Sequence, residues 1–120
     1  MAGAVSARSS NHGSGHWWGQ RLTAVALIFL GLWFLISVLL LQDLQFDAVA
    51  NWLARPLSLV LMILTFATIV YHSKLGVQVV IEDYVHGPSI HVFSLRANML
   101  AHALLAVTGL YALLKIAFGA

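Results

Sequence analysis

Three long apolar stretches dominate the pattern along this chain, separated by short polar segments. The first runs from Leu22 to Leu41 without a charged residue. At the ~1.5 Å rise of an α-helix it covers about 30 Å, the thickness of a bilayer's hydrocarbon core. The second begins at Pro56, stays uncharged to Ser73, is interrupted by Lys74 and resumes through Leu75–Ile81. Proline suits a first helical turn because its missing N–H has no partner there, and a lysine in a span can snorkel its ammonium to the headgroups. The third stretch is uncharged from Ala97 to Leu114. No segment shows the alternation, over about ten residues, that a membrane barrel strand needs. The pattern predicts an all-α protein with three transmembrane helices, at about 22–41, 56–81 and 97–116.

The intervening residues complete this outline. Residues 1–15 are rich in Ser, Gly and Ala without apolar periodicity, which predicts a flexible N-terminal tail ahead of a single transmembrane domain over 16–120. Trp17 and Trp18 stand just before the first span, where amphipathic rings anchor at headgroup depth. Asp43, Asp47, Asn51 and Arg55 predict a polar link over 42–55, with Trp52 at the far interface. Gly87 and Pro88 predict the stop of the second helix, and Ser89–Leu95 a connector, with some helix at the interface as the alternative. The first span is longer than the 7–15 residues of a signal-peptide core and lacks a small-x-small cleavage site after it, so it reads as retained.

Composition makes lipid the solvent. Of the 120 residues, 61% are hydrophobic and 8% charged, against about 25% charged in soluble domains. A water-soluble fold this small leaves too much surface exposed to hide that apolar content. The net charge of +2 is scattered, with no basic run, which excludes a nucleic-acid partner. With no cysteine, the chain can hold no disulfide, zinc thiolate or iron–sulfur cluster, so any redox role needs histidine ligands or a partner. Three spans put Arg8, Arg21 and Arg96 on one side, with Lys74 near it, and Arg55 and Lys115 on the other. The basic majority puts the N-terminus in the cytoplasm. The lack of an Arg/Ser-rich presequence predicts the bacterial inner membrane.

Polar side chains inside spans mark candidate chemistry, because they are costly in lipid. Here they are His72, Lys74, Gln78, His102 and the triplet Glu82-Asp83-Tyr84. At 100° per residue, Gly76 lies about 40° and Asp83 about 20° from His72, while Lys74 points about 160° away. A histidine with a glycine one turn along suits haem: imidazole ligates iron, and the missing side chain leaves room for a flat macrocycle. The alternative is a hydrogen bond from His72 to a neighbouring helix. His102 has three readings, a second ligand, a quinone contact or a packing hydrogen bond, of which packing is favoured because nothing else polar clusters near it in sequence. At the rim, the Tyr84 hydroxyl suits a hydrogen bond to a quinone carbonyl, and Asp83 suits proton supply. Acids at a helix C-terminus oppose the helix dipole, which favours a functional reading of Glu82 and Asp83. His12, His16, His86 and His91 lie outside the spans without metal-ligand spacing, and Gly31 and Gly109 are candidates for close helix contact.

The segment Tyr71–Gly87, YHSKLGVQVVIEDYVHG, resembles the signature of the smaller hydrophobic anchor subunit of succinate:quinone oxidoreductase, respiratory complex II. That signature is a His, a Gly four residues later, and Asp-Tyr eleven and twelve after the His; all three offsets agree at His72, Gly76, Asp83 and Tyr84. Gln20–Ala24, with the tryptophans before it, is also similar to the family's approach to its first helix, and the likeness covers nearly all of the chain after residue 15. The resemblance implies a bundle completed by a second cytochrome b anchor subunit, with an iron–sulfur subunit and a flavoprotein subunit docked on the cytoplasmic side. It implies one haem b shared between the anchors, with His72 as one axial ligand, Gly76 packing on the haem, and a partner histidine opposite. It implies ubiquinone as substrate near Tyr84 and Asp83, and a contact of Arg21 with haem propionates or the quinone region. Two rival readings of the residues remain: a self-contained cytochrome using His72 and His102, and a small transporter or assembly protein without redox chemistry. The sister complex, fumarate reductase, has similar anchors.

Overall fold

The computed structural model describes the backbone of residues 2–119 and the side chains of residues 15–119. The tail expected over residues 1–15, with Arg8 and His12, falls almost wholly outside the described side chains. Four helices follow in order: α1 (Ala2–Leu40), α2 (Phe46–Leu53), α3 (Pro56–Tyr84) and α4 (Pro88–Phe118). There is no strand among the described residues. Among the described residues, three helical segments are long and apolar enough to cross a membrane: Gly15–Leu40, Pro56–Tyr84 and Pro88–Phe118.

Each boundary has a local cause. After α1, the Asp43 carboxylate accepts a hydrogen bond from the Gln45 N–H at 2.8 Å, the side-chain turn that lets aspartate replace helix continuation. Pro56 opens α3 at its first position, as expected. Gly87 and Pro88 do not stop the second span. That helix ends at Tyr84, where Val85 turns extended; Gly87 caps the start of α4 and Pro88 occupies its first turn. Gly87 has φ −68 there, an ordinary backbone value. At the other end of α4, Gly119 adopts the left-handed conformation that ends helices (φ 67) and donates its N–H to the Lys115 carbonyl.

Two segments differ from expectation. Ser89–Leu95 is helical throughout as the opening of α4, so the helical alternative holds and no separate connector exists there. The charge of Arg96 bounds the hydrocarbon-compatible stretch, but a helix continues through the headgroup zone because its backbone bonds do not depend on lipid. The polar link over 42–55 contains α2. Its polar residues Asp47, Asn51 and Arg55 recur every fourth position, and Val49, Trp52 and Leu53 lie on the other side, which is the pattern of an amphipathic helix. Asp47 also sits in the first turn, where it complements the helix dipole.

Helix α3 is the middle member of the bundle, packed against α1 on one flank and α4 on the other. The small buried core lies at one end, where α2 folds under the bundle: Trp52, Leu53 and Ala117 are buried, with Trp33, Met62 and Leu113 packed around them. Trp33 stacks on Trp52 at 5.7 Å between ring centroids, and Phe34 meets the same ring edge-on at 6.4 Å. Most other large apolar side chains, such as Phe29, Leu39, Leu57, Phe93 and Val107, are exposed. An arrangement with so little interior suits lipid or a partner helix on its open faces.

Glycines set the spacing. A Cβ on Gly109 would collide with the Phe66 ring, so α4 touches α3 there. Gly31, the other candidate for close contact, has nothing within 4 Å of that position. Gly19 makes the corresponding approach on the α1 side: a Cβ there would stand 3.1 Å from Leu75 Cδ1 and 3.3 Å from the Tyr71 hydroxyl.

Candidate functional site

The close approach at Gly19 brings Thr23, one turn further along α1, level with His72 on α3. The Thr23 hydroxyl donates to the Gly19 carbonyl at 2.6 Å. That uses its only proton. His72 Nδ1 lies 2.8 Å from the same oxygen, so Nδ1 carries the hydrogen and donates it to Thr23. The neutral form of the ring then has its lone pair on Nε2, which has no hydrogen-bond partner among the described residues. His72 is half-buried in the middle of the second span. Gly76 is one turn along the same flank, with the Gln20 side chain of α1 at ordinary contact, 3.6 Å from where a Cβ would stand. The Gln20 Oε1 is buried without a partner. The stripe expected from helical spacing therefore exists at its His72–Gly76 end, on the α1 side of α3.

The rim residues are placed apart from it. Asp83 and Tyr84 form the last turn of α3, about 16–18 Å along the axis from His72 at ~1.5 Å per residue. Both are exposed, Tyr84 at 78%. Glu82 is engaged differently: its carboxylate accepts from the Gln78 amide at 3.1 Å, one turn back on the same helix. Arg21 is exposed, with its guanidinium 4.4 Å from the centre of the Trp17 ring. Lying two residues from Thr23, it projects from another side of α1.

His102 lies on the α4 flank of α3 in a polar cluster that its sequence neighbourhood did not reveal. Its Nδ1 donates to the Asn98 carbonyl at 2.9 Å, so Nε2 is the acceptor for the Ser73 hydroxyl at 3.1 Å. Asn98, 7% exposed, donates from Nδ2 to the Lys74 carbonyl at 3.1 Å, and its Oδ1 is buried without a partner. Both ring nitrogens of His102 are thus engaged in helix–helix packing. Beyond the spans, His91 Nδ1 donates to the Val85 carbonyl at 2.9 Å and ties α4 back onto the end of α3. No group of three or more His, Cys, Asp or Glu side chains among the described residues is placed to hold a metal ion. A single axial ligand to a haem would not form one.

Two cavities among the described residues lie away from His72. One of about 580 Å³ opens between the end of α1, α2 and the start of α3, with Asn51, Trp52 and Arg55 in its lining. Another of about 270 Å³ lies between α3 and α4 beside Lys74 and His102.

Comparison with known proteins decides the family. Residues 4–114 match the model of the succinate dehydrogenase/fumarate reductase transmembrane subunit. This chain belongs to that family. Its relatives include the succinate dehydrogenase hydrophobic membrane anchor subunit of Rickettsia bellii, 33% identical over 90% of this chain and 78% of that protein. The subunit of the same name from Rickettsia felis is 31% identical over 92% of this chain and 83% of the relative. The succinate dehydrogenase membrane anchor subunit of Reclinomonas americana is 34% identical over 69% and 72%. The matched region covers the first two candidate membrane helices and most of the third, so the resemblance read from the His-to-Tyr segment extends through the fold.

Proposed function

We propose that this chain is the small membrane anchor of a bacterial succinate dehydrogenase, helping to hold haem b and ubiquinone and to pass electrons from succinate oxidation to quinone. The observation that carries the reading is the state of His72. Its Nδ1–H is committed to Thr23, and Nε2 keeps its lone pair in a half-buried, mid-membrane position. Neutral imidazole of this tautomer is a ligand suited to iron. His72 would hold the metal, with Gly76 beside the macrocycle; haem b, when bound, supplies one-electron storage within the membrane.

One good ligand on this chain calls for a second from outside it. His102 is a poor candidate, because its Nε2 accepts from Ser73. That supports a shared haem with a second cytochrome b anchor subunit and disfavours a self-contained cytochrome. The open apolar faces of the bundle suit such a partner. The dehydrogenase chemistry itself belongs to the flavoprotein and iron–sulfur subunits, since this chain has no cysteine for a cluster.

Tyr84 and Asp83, exposed at the end of α3, suit the quinone. The phenol can donate a hydrogen bond to a quinone carbonyl, and the carboxylate can pass protons from water to the reduced oxygens. The basic residues near that end favour the cytoplasmic side of the inner membrane for the N-terminus and the α3–α4 turn, where the soluble subunits would dock. Arg21, on the same side, is available to an anionic haem propionate or to the quinone region.

The test is to affinity-purify the tagged chain from its own membranes in mild detergent. A reduced-minus-oxidised spectrum is then recorded with succinate as reductant, beside a His72→Ala control. A b-type signal with co-purifying flavoprotein and iron–sulfur subunits, lost in the control, is the expected result. No haem and no soluble partners would overturn the proposal and leave only family and fold.

A further inference from the structure

We propose that Thr23 is a positioning residue for the haem: through its hydroxyl it fixes both the tautomer and the plane of the His72 imidazole. This rests on the reading of His72 as an axial ligand.

Proton accounting carries the inference. A threonine hydroxyl has one proton and two lone pairs. In α1 the proton goes to the Gly19 carbonyl at 2.6 Å, and the longer approach to the Gln20 carbonyl, 3.2 Å, is second to it. Toward His72 the oxygen can therefore only accept. It accepts at 2.8 Å from Nδ1. Had the hydroxyl been free to turn, His72 could have presented either tautomer, and the one with hydrogen on Nε2 cannot bind iron through that atom. The helix carbonyl removes this choice. Thr23 thus plays the part that a carboxylate or carbonyl plays behind many metal-bound histidines, orienting the ring and raising its basicity. It does so without placing a charge in the membrane, where a carboxylate would be costly.

The placement depends on a close helix approach. Gly19 supplies both the carbonyl that takes the Thr23 proton and the space that lets Tyr71 and Leu75 pack against α1. The register of α1 against α3 is thereby coupled to the orientation of the ligand. The face carrying Gln20 and Thr23 is the face that meets Gly76 and His72, so the two helices form one wall.

The experiment uses the whole complex purified from its own membranes, carrying Thr23→Val, Thr23→Ser or His72→Ala. Valine keeps the shape of threonine and removes the acceptor. The readouts are haem retained after prolonged detergent exposure, the ferric low-spin electron paramagnetic resonance g-values, which report the ring planes, and the haem midpoint potential. For Thr23→Val the expected results are a roughly tenfold or greater loss of haem affinity, the lower end for lost outer-shell partners, altered g-values, and a more positive potential, because a less basic imidazole stabilises ferric iron less. Thr23→Ser restores all three. If valine will not assemble, Thr23→Ala against Thr23→Ser gives the same comparison. Wild-type retention, g-values and potential in the variant lacking the hydroxyl, beside haem loss in His72→Ala, would overturn the role of Thr23 alone. Retention of haem in His72→Ala would overturn the ligand assignment beneath it.

Discussion

Ser73 Oγ stands 3.1 Å from His102 Nε2, bridging α3 and α4, while the neighbouring residue on α3, His72, bonds in the opposite direction to Thr23 on α1. Consecutive positions on one helix thus serve its two flanks. The two membrane histidines hold the same tautomer, but only His72 keeps a lone pair unengaged among the described residues. His102→Ala should therefore leave the b-type haem signal of the assembled complex intact, whereas His72→Ala should abolish it. Losing the His102 bonds should cost about 1 kcal/mol of stability, the usual net worth of a hydrogen bond. Difference spectra beside thermal unfolding in detergent check both halves. Haem loss in His102→Ala would return the self-contained cytochrome to contention.

Tyr84 is expected to act at the substrate and not in the fold. It is 78% exposed, and its hydroxyl makes no hydrogen bond among the described residues. Tyr84→Phe should reduce ubiquinone reduction by succinate roughly three- to tenfold, the value of one hydrogen bond to substrate. Electron transfer from succinate to a water-soluble artificial acceptor, and thermal stability, should stay at wild-type levels. Equal loss in both assays would locate the effect in assembly instead.

Helix spacing gives a third expectation. Because the Phe66 ring covers Gly109, Gly109→Ala should force α3 and α4 apart at a cost of about 1–3 kcal/mol, the range for overpacking. Phe66→Leu in the same chain should recover part of it by removing the ring. Gly31→Ala is the control: with nothing within 4 Å, it should be neutral or stabilise by up to about 1 kcal/mol, since alanine holds a helix better than glycine. Thermal denaturation of the purified complex distinguishes these outcomes.

Much of this arrangement was legible in the amino-acid pattern, and the reasons are physical. Uncharged stretches about as long as a bilayer is thick leave few alternatives to membrane helices. The offsets from His72 to Gly76, Asp83 and Tyr84 carry enough information to suggest the family before any comparison. The partners of side chains across helices were not legible. Nothing in the spacing of α1 indicates that Thr23 meets His72, because that depends on the register set by Gly19. The polar neighbours of His102 were likewise invisible along the chain: Ser73 lies 29 residues away. The full length of α4 is not legible from charge, because Arg96 bounds only the lipid-compatible stretch and the helix begins before it.

The helix α2 is legible in the period of its residues but not in their composition. The polar content of 42–55 suggests a link; the fourfold spacing of Asp43, Asp47, Asn51 and Arg55, with Trp52 and Leu53 opposite, indicates a helix lying under the bundle. Trp52 is the keystone of the buried cluster among the described residues, 8% exposed and stacked on Trp33. Trp52→Ala should cost about 3–5 kcal/mol, the range for emptying a packed aromatic site. It should also raise protease cleavage across Gln42–Arg55 in sealed vesicles. Asp47→Ala, on the exposed side, should cost only about 0.3–1 kcal/mol by removing a favourable charge from the first turn. Equal and small effects from the two variants would mean that residues 46–53 lie on the surface as a loose link, and that the apolar contacts to Leu113 and Ala117 do not hold them.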